Sequence, residues 1–427
     1  MFGLVLLAAV CVGYLGYSQW QFGQLSNALE GDIATLHRLR WERPVLRTPE
    51  LDGNAADAIY AALEGAEPLP PKVRNSIAEQ LHFGQPLTPE QRKPIEKWNE
   101  TIGKLRDATH HGWSATPMQI GLARGMPVPD YPLLLDAALV SLGSASIARG
   151  DGCLTIAADT IRYGQDLVTG APMEASSVSA RIASIASRVA GYCVADASPQ
   201  GLRRAAAEFR ILATQAPPTG SGIEVADLLA AMEVRRLSAL TNDDGFATLA
   251  ERLRKRTRLY SEWKFLGRPS KWRKIAPESY PGALDDWRGE HDLRVRSDHE
   301  TVRRATVGVL DWLYDDMRGQ ALTRAMAVGL ATVAERARRG RMPRQPLGIR
   351  DAGLRDPFSG ADLGFRIAQD GGELTLWSVG EDMRDDRGTD EWGTEAPLDV
   401  VVHLRLPAIQ DERSKSKARK RRSRRKR

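Results

Sequence analysis

The chain has 427 residues, 42% of them hydrophobic and 27% charged, which excludes a collagenous or wholly disordered protein and leaves room for two or three domains with buried cores. Its net charge of +6 is local: residues 413–427 carry 11 Lys or Arg and no acid, and the rest of the chain has 49 basic against 54 acidic residues. The overall basicity is therefore no argument that the folded part binds nucleic acid.

Phe2–Tyr17 holds no charge, and extended to Trp20 it reaches the roughly 17–25 residues that cross a bilayer as a helix. Tyr14, Tyr17 and Trp20 fit an interfacial aromatic belt, so residues 1–20 read as a signal anchor. A cleaved signal peptide, a lipoprotein signal ending at Cys11 and a buried core helix are the competing readings. Arg38, Arg40 and Arg43 follow the segment and no base precedes it; the positive-inside rule alone would keep the body cytoplasmic.

Residues 21–298 are expected to form an α-helical body. Gln21–Arg47 reads as polar and helical, and Asp52-Gly-Asn54 as a turn and cap opening a helix over Ala55–Leu63. Helices follow over Lys72–Leu81 and Pro89–His110. The four prolines between Trp113 and Pro132 mark an extended connector. Leu133–Ala148, Cys153–Val168, Met173–Val194, Gln200–Gln215 and Ile223–Leu240 read as consecutive helices with small apolar faces, packed as in tetratricopeptide-like solenoids, though without a strict repeat consensus. Antiparallel packing across Thr169–Pro172 brings Cys153 beside Cys193, making them a disulfide candidate in an oxidising compartment; two small buried hydrophobes is the alternative. Gly245–Asp298 mixes Trp263, Trp272 and Trp287 with interleaved acids and bases and reads as an irregular connection.

The stretch 299–406 opens with a long amphipathic helix over Glu300–Arg339. Asp356-Pro-Phe-Ser-Gly360 is a turn, and strands are expected over Leu363–Ala368, Glu373–Ser378 and Leu398–Leu406. The acidic loop Gly380–Pro397 joins the last two. A helix leaving through Gly340-x-x-Pro343, then Asp-Pro-aromatic-x-Gly, a hairpin, Ser378-x-Gly380-x-Asp382 and a run of aspartates resembles the globular heads of type II secretion pseudopilins over about Ala321–Leu406. The chain as a whole also looks like membrane-anchored, helix-rich bacterial proteins ending in this module. The resemblance implies a bacterial inner-membrane protein, single-pass, with its body in the periplasm. It also implies a calcium ion in the acidic loop, with Ser378, Asp382, Asp385 and Asp386 as ligands and Asp390 and Asp399 as additions; hard oxygen donors are what calcium takes. Met383 and Arg387 stand where related loops carry glycine. Roughly 300 residues separate anchor from module, and no pilin processing motif is present, so a filament subunit is not expected.

None of the seven histidines makes a His-x-x-x-His or His-Glu-x-x-His pair, and there is no Gly-x-Ser-x-Gly elbow or glycine-rich phosphate loop. Catalysis is not expected. Residues 407–427 form a basic tail without the apolar residues needed to fold. Arg419, Lys420, Arg421, Arg422, Arg424, Arg425, Lys426 and Arg427 suit an anionic lipid, polymer or nucleic acid. The expectation is thus a mainly α protein, a helical-hairpin (TPR-like) body with a small C-terminal α+β module containing a three-stranded antiparallel sheet. Its expected role is a membrane-anchored scaffold for a protein partner. An envelope enzyme acting on polysaccharide, or a binder of nucleic acid through the tail, is the alternative.

Overall fold

The structure, a computed structural model, describes residues 40–116, 130–217 and 308–407, apart from residues 170, 172–173, 370 and 390–398, with scattered helical positions in 13–34 and 288–306. Most of the apolar leader, the expected helix over Ile223–Leu240, the tryptophan-rich stretch and the basic tail lie outside the described residues.

The fold is mainly helical. An N-terminal layer comprises α1 (Ala55–Leu63), α2 (Pro71–Phe83), α3 (Pro89–Lys97) and α4 (Asn99–Ala108). A central stack follows: α5 (Tyr131–Ala148), α6 (Gly150–Asp166), α7 (Glu174–Cys193) and α8 (Pro199–Thr214). The long α9 (Val309–Arg339) lies across α7 and α8. Local chemistry explains the boundaries. The Asn54 side chain accepts from Ala56 N, opening α1. Thr88 and Gln91 form a reciprocal capping box on α3. Ser198 caps α8, and Gly340, at φ 69°, ends α9 in the left-handed conformation that glycine adopts freely.

Among the described residues, α5 alone is long and apolar enough by composition to cross a membrane. Here it is a core helix, with Leu134 and Ala137–Gly143 buried. Such an all-round apolar helix needs neighbours on every side, and α2, α3, α6 and α7 provide them.

Two expectations are corrected. Residues 40–47 are not helical: Trp41–Glu42 is strand β1, paired with β3 (His111–Ser114), which also pairs with β2 (Leu51–Asn54). The expected helix over Pro89–His110 is two, α3 and α4, broken at Trp98, whose backbone (φ −92°, ψ 3°) ends one and starts the other. Pro94 inside α3 removes a helical N–H donor just before the break, and the turn lets Ile95, Trp98, Ile102 and Leu105 all bury.

The C-terminal sheet is antiparallel, in order β4 (Gly364–Ile367), β5 (Glu373–Ser378), β6 (Val400–Arg405). Its apolar face does not form a core of its own. Leu374, Leu376, Val402 and Leu404 belong to the same buried cluster as α5–α9. Two glycines allow this approach: a Cβ at Gly191 on α7 would run into the His403 carbonyl, and one at Gly329 on α9 into the Leu404 side chain.

Candidate functional sites

The acidic loop hangs from β5. Asp356, buried at 2% exposure, ties it to the preceding turn. Its carboxylate accepts from Phe358 N (2.9 Å), Ser359 Oγ (2.6 Å), Ser378 Oγ (2.6 Å) and Val379 N (3.2 Å). The Ser378 hydroxyl thereby donates to a carboxylate, and its oxygen accepts from Gly380 N at 3.4 Å. Asp382 accepts from Arg384 N at 3.0 Å. Asp385 accepts from the indole N–H of Trp377 at 2.8 Å and from Arg387 N at 2.9 Å. Asp399 accepts from Gly388 N at 2.7 Å and Asp386 N at 3.3 Å. Burial pushes the Asp399 carboxyl up, and the charges of Asp385 and Asp386 add to that while the two N–H groups oppose it. Met383 and Arg387 hold φ near +60°, the conformation for which glycine would be the usual choice. Asp390 lies outside the described residues, and among those described no three acids, histidines or cysteines converge as a metal site.

Cys153, in the first turn of α6, and Cys193, the last residue of α7, form a disulfide, with Cα atoms 6.2 Å apart. The expected turn between helices supplies the antiparallel return that brings them together. Cys11 and the tail residues Arg419–Arg427 lie outside the described residues.

The sequence reading did not single out the charged residues buried between the N-terminal layer and the stack. Arg43 forks onto both Asp166 oxygens at 2.7 Å, with both side chains fully buried. Arg47 reaches Asp159 at 2.5 Å and Glu208 at 2.8 Å, and Arg106 joins at Asp159 at 3.1 Å. Arg74 forks onto Asp136 at 2.5 and 2.8 Å, and Leu69 N donates to the same carboxylate at 2.8 Å. Each acid thus lies on α5, α6 or α8, and each arginine comes from the N-terminal layer. Burial pushes the Asp166 and Glu208 carboxyls up, and their arginines pull them back. Arg162, at 0% exposure, stands beside this set and is pushed down to about 9, first by burial and then by the charge of Arg43. A signal was present: Asp159, Arg162 and Asp166 recur at spacings of three and four in a helix whose Leu154, Ile156, Ala157, Ala158, Ile161 and Tyr163 are all buried, so ions lie among positions that should be apolar.

Compared with known proteins, the chain matches no family model, no curated protein and no solved structure.

Proposed function

We propose that this chain is a membrane-tethered scaffold on the outer face of a bacterial inner membrane, whose helical body and pseudopilin-like head act together as one rigid interaction platform. The observation that carries the reading is the Cys153–Cys193 cystine. Disulfides persist in oxidising compartments and are rare in the cytosol, and an uncharged leader of membrane-spanning length precedes this one. Rigidity is supported by the apolar cluster that runs without a break from α1 through the stack to β6. The TPR-like reading of the stack is supported by its packing, in which α5 meets α6 and α7, and α6 meets α7 and α8.

For the acidic loop the reading includes a calcium ion around which Asp382, Asp385, Asp386, Asp390 and Asp399 would have to draw together, supported by the charges of Asp385 and Asp386 that help push the Asp399 carboxyl up. Calorimetric titration of the full chain is expected to give heat with calcium that Asp385→Ala abolishes; no heat in the parent chain removes the ion. The scaffold's placement is tested by a reporter active only outside the cytoplasm, fused after Leu406. Activity is expected, and an inactive fusion with a cytoplasmic counterpart active at the same site overturns it.

A further inference from the structure

The buried end of α6 carries one positive charge more than its neighbours neutralise. Both oxygens of Asp166 are engaged by Arg43, and the remaining Arg43 nitrogen donates to the His111 carbonyl at 2.5 Å. Arg162, one helical turn before Asp166, has 0% exposure. Its Nε, Nη1 and Nη2 find no hydrogen-bond acceptor among the described residues. The guanidinium lies 5.2 Å from the centroid of the Trp41 ring, and Arg43 lies 5.5 Å from the same ring. An aromatic face attracts a cation but does not satisfy a fork of N–H donors. Two guanidiniums and one carboxylate therefore leave a net buried cation whose hydrogen bonds are unmade, and desolvated charge of this kind is strongly unfavourable without a counterion. His111, which acts on the charge of Asp166, adds a buried Nδ1 that is also without a partner.

We propose that Arg162 anchors a buried anion site that takes one compact oxyanion, a carboxylate or phosphate group, between Trp41, Arg43 and His111. The planar guanidinium matches such groups through paired N–H donors, which a spherical halide cannot use as well. Full enclosure restricts the ligand to a small one. The anion balances the charge of the site and fastens β1 to α6.

The test is the melting temperature of the full chain in detergent and chloride buffer at fixed ionic strength, titrated separately with inorganic phosphate and with acetate. At least one is expected to raise it in a saturating manner, by roughly 3–6 °C near a hundredfold excess over the dissociation constant. Arg162→Met is expected to abolish the response while melting no lower than the anion-free parent, because the unneutralised charge has gone. A parent chain without a saturating response overturns the proposal, and so does a response that survives in Arg162→Met. If Arg162→Met does not fold, Arg162→Lys decides: it keeps the charge but loses the fork, so half-saturation is expected to weaken about tenfold or more, and unchanged half-saturation overturns the site.

Discussion

Asp356 shows how one carboxylate can organise a module. It accepts four hydrogen bonds from the turn that contains it and from the end of β5, and it places Phe358 in a small cluster with Val309, Leu313 and Met317 of α9. Asp356→Ala leaves buried donors unpaired, and about 3 kcal/mol of unfolding free energy should be lost, as read by denaturant titration. Arg74→Met strands the buried Asp136 charge and should cost about 3–5 kcal/mol, whereas Arg74→Met combined with Asp136→Asn, which keeps an acceptor for Leu69 N, should recover much of that loss. If the double variant is as unstable as the single, the pair is not coupled as drawn. Protonation follows from burial. Asp166, Glu208, Glu381 and Asp399 all have folded-state pKa values raised chiefly by desolvation. Their contribution to stability is present below the unfolded carboxylate range and lost as pH rises through the folded values. Glu335, held at about 2 chiefly by its hydrogen bond from Arg338, is partly buried and loses its contribution only as pH falls below the ordinary carboxylate range, under the interval tested. Melting temperature should hold or rise as pH falls from 7 toward 5; a fall over that interval contradicts the directions given.

At the scale of elements, close approach decides how the sheet docks. Gly191→Ala places a methyl group against the backbone of β6 and should destabilise by about 2 kcal/mol or more. Gly103→Ala, on α4 with nothing within 4 Å of the added Cβ, should be neutral or stabilise by up to about 1 kcal/mol. Equal effects at the two sites would mean the sheet does not rest on α7. The contrast also shows which elements could be read in the sequence. The helix α1 was legible to the residue because Asn54 supplies a cap and Ala55, Ile59 and Leu63 supply the period. The hairpin β4–β5 was legible from its turn and strand signals. Strands β1, β2 and β3 were not: they have two to four residues, β2 reads Leu-Asp-Gly-Asn, and partners about 60–70 residues away define them. The loop aspartates were recognisable as a group, but their engagement with backbone N–H groups depends on left-handed turns at Met383 and Arg387 that residue identity does not announce.

For the whole molecule, apolar packing joins all three layers in one cluster. Between the N-terminal layer and the stack, buried arginine–carboxylate pairs are added to it. These pairs span 53 to 161 residues in sequence, so no local pattern could reveal which arginine meets which acid. The cystine joins the start of α6 to the end of α7, closing a loop of sequence separation 40. By chain entropy it should contribute about 3–4 kcal/mol, and the full chain should melt correspondingly lower in reductant. That bond also links the architecture to the compartment, which makes it the point at which the scaffold account is most exposed. The direct measurement is thiol labelling of the full chain taken straight from cells, denatured with a mass-shifting alkylating reagent and compared before and after reduction. The shift of a single free thiol is expected before reduction, and that of all three cysteines after it. Three labels without reductant would place the body in a reducing compartment and contradict it.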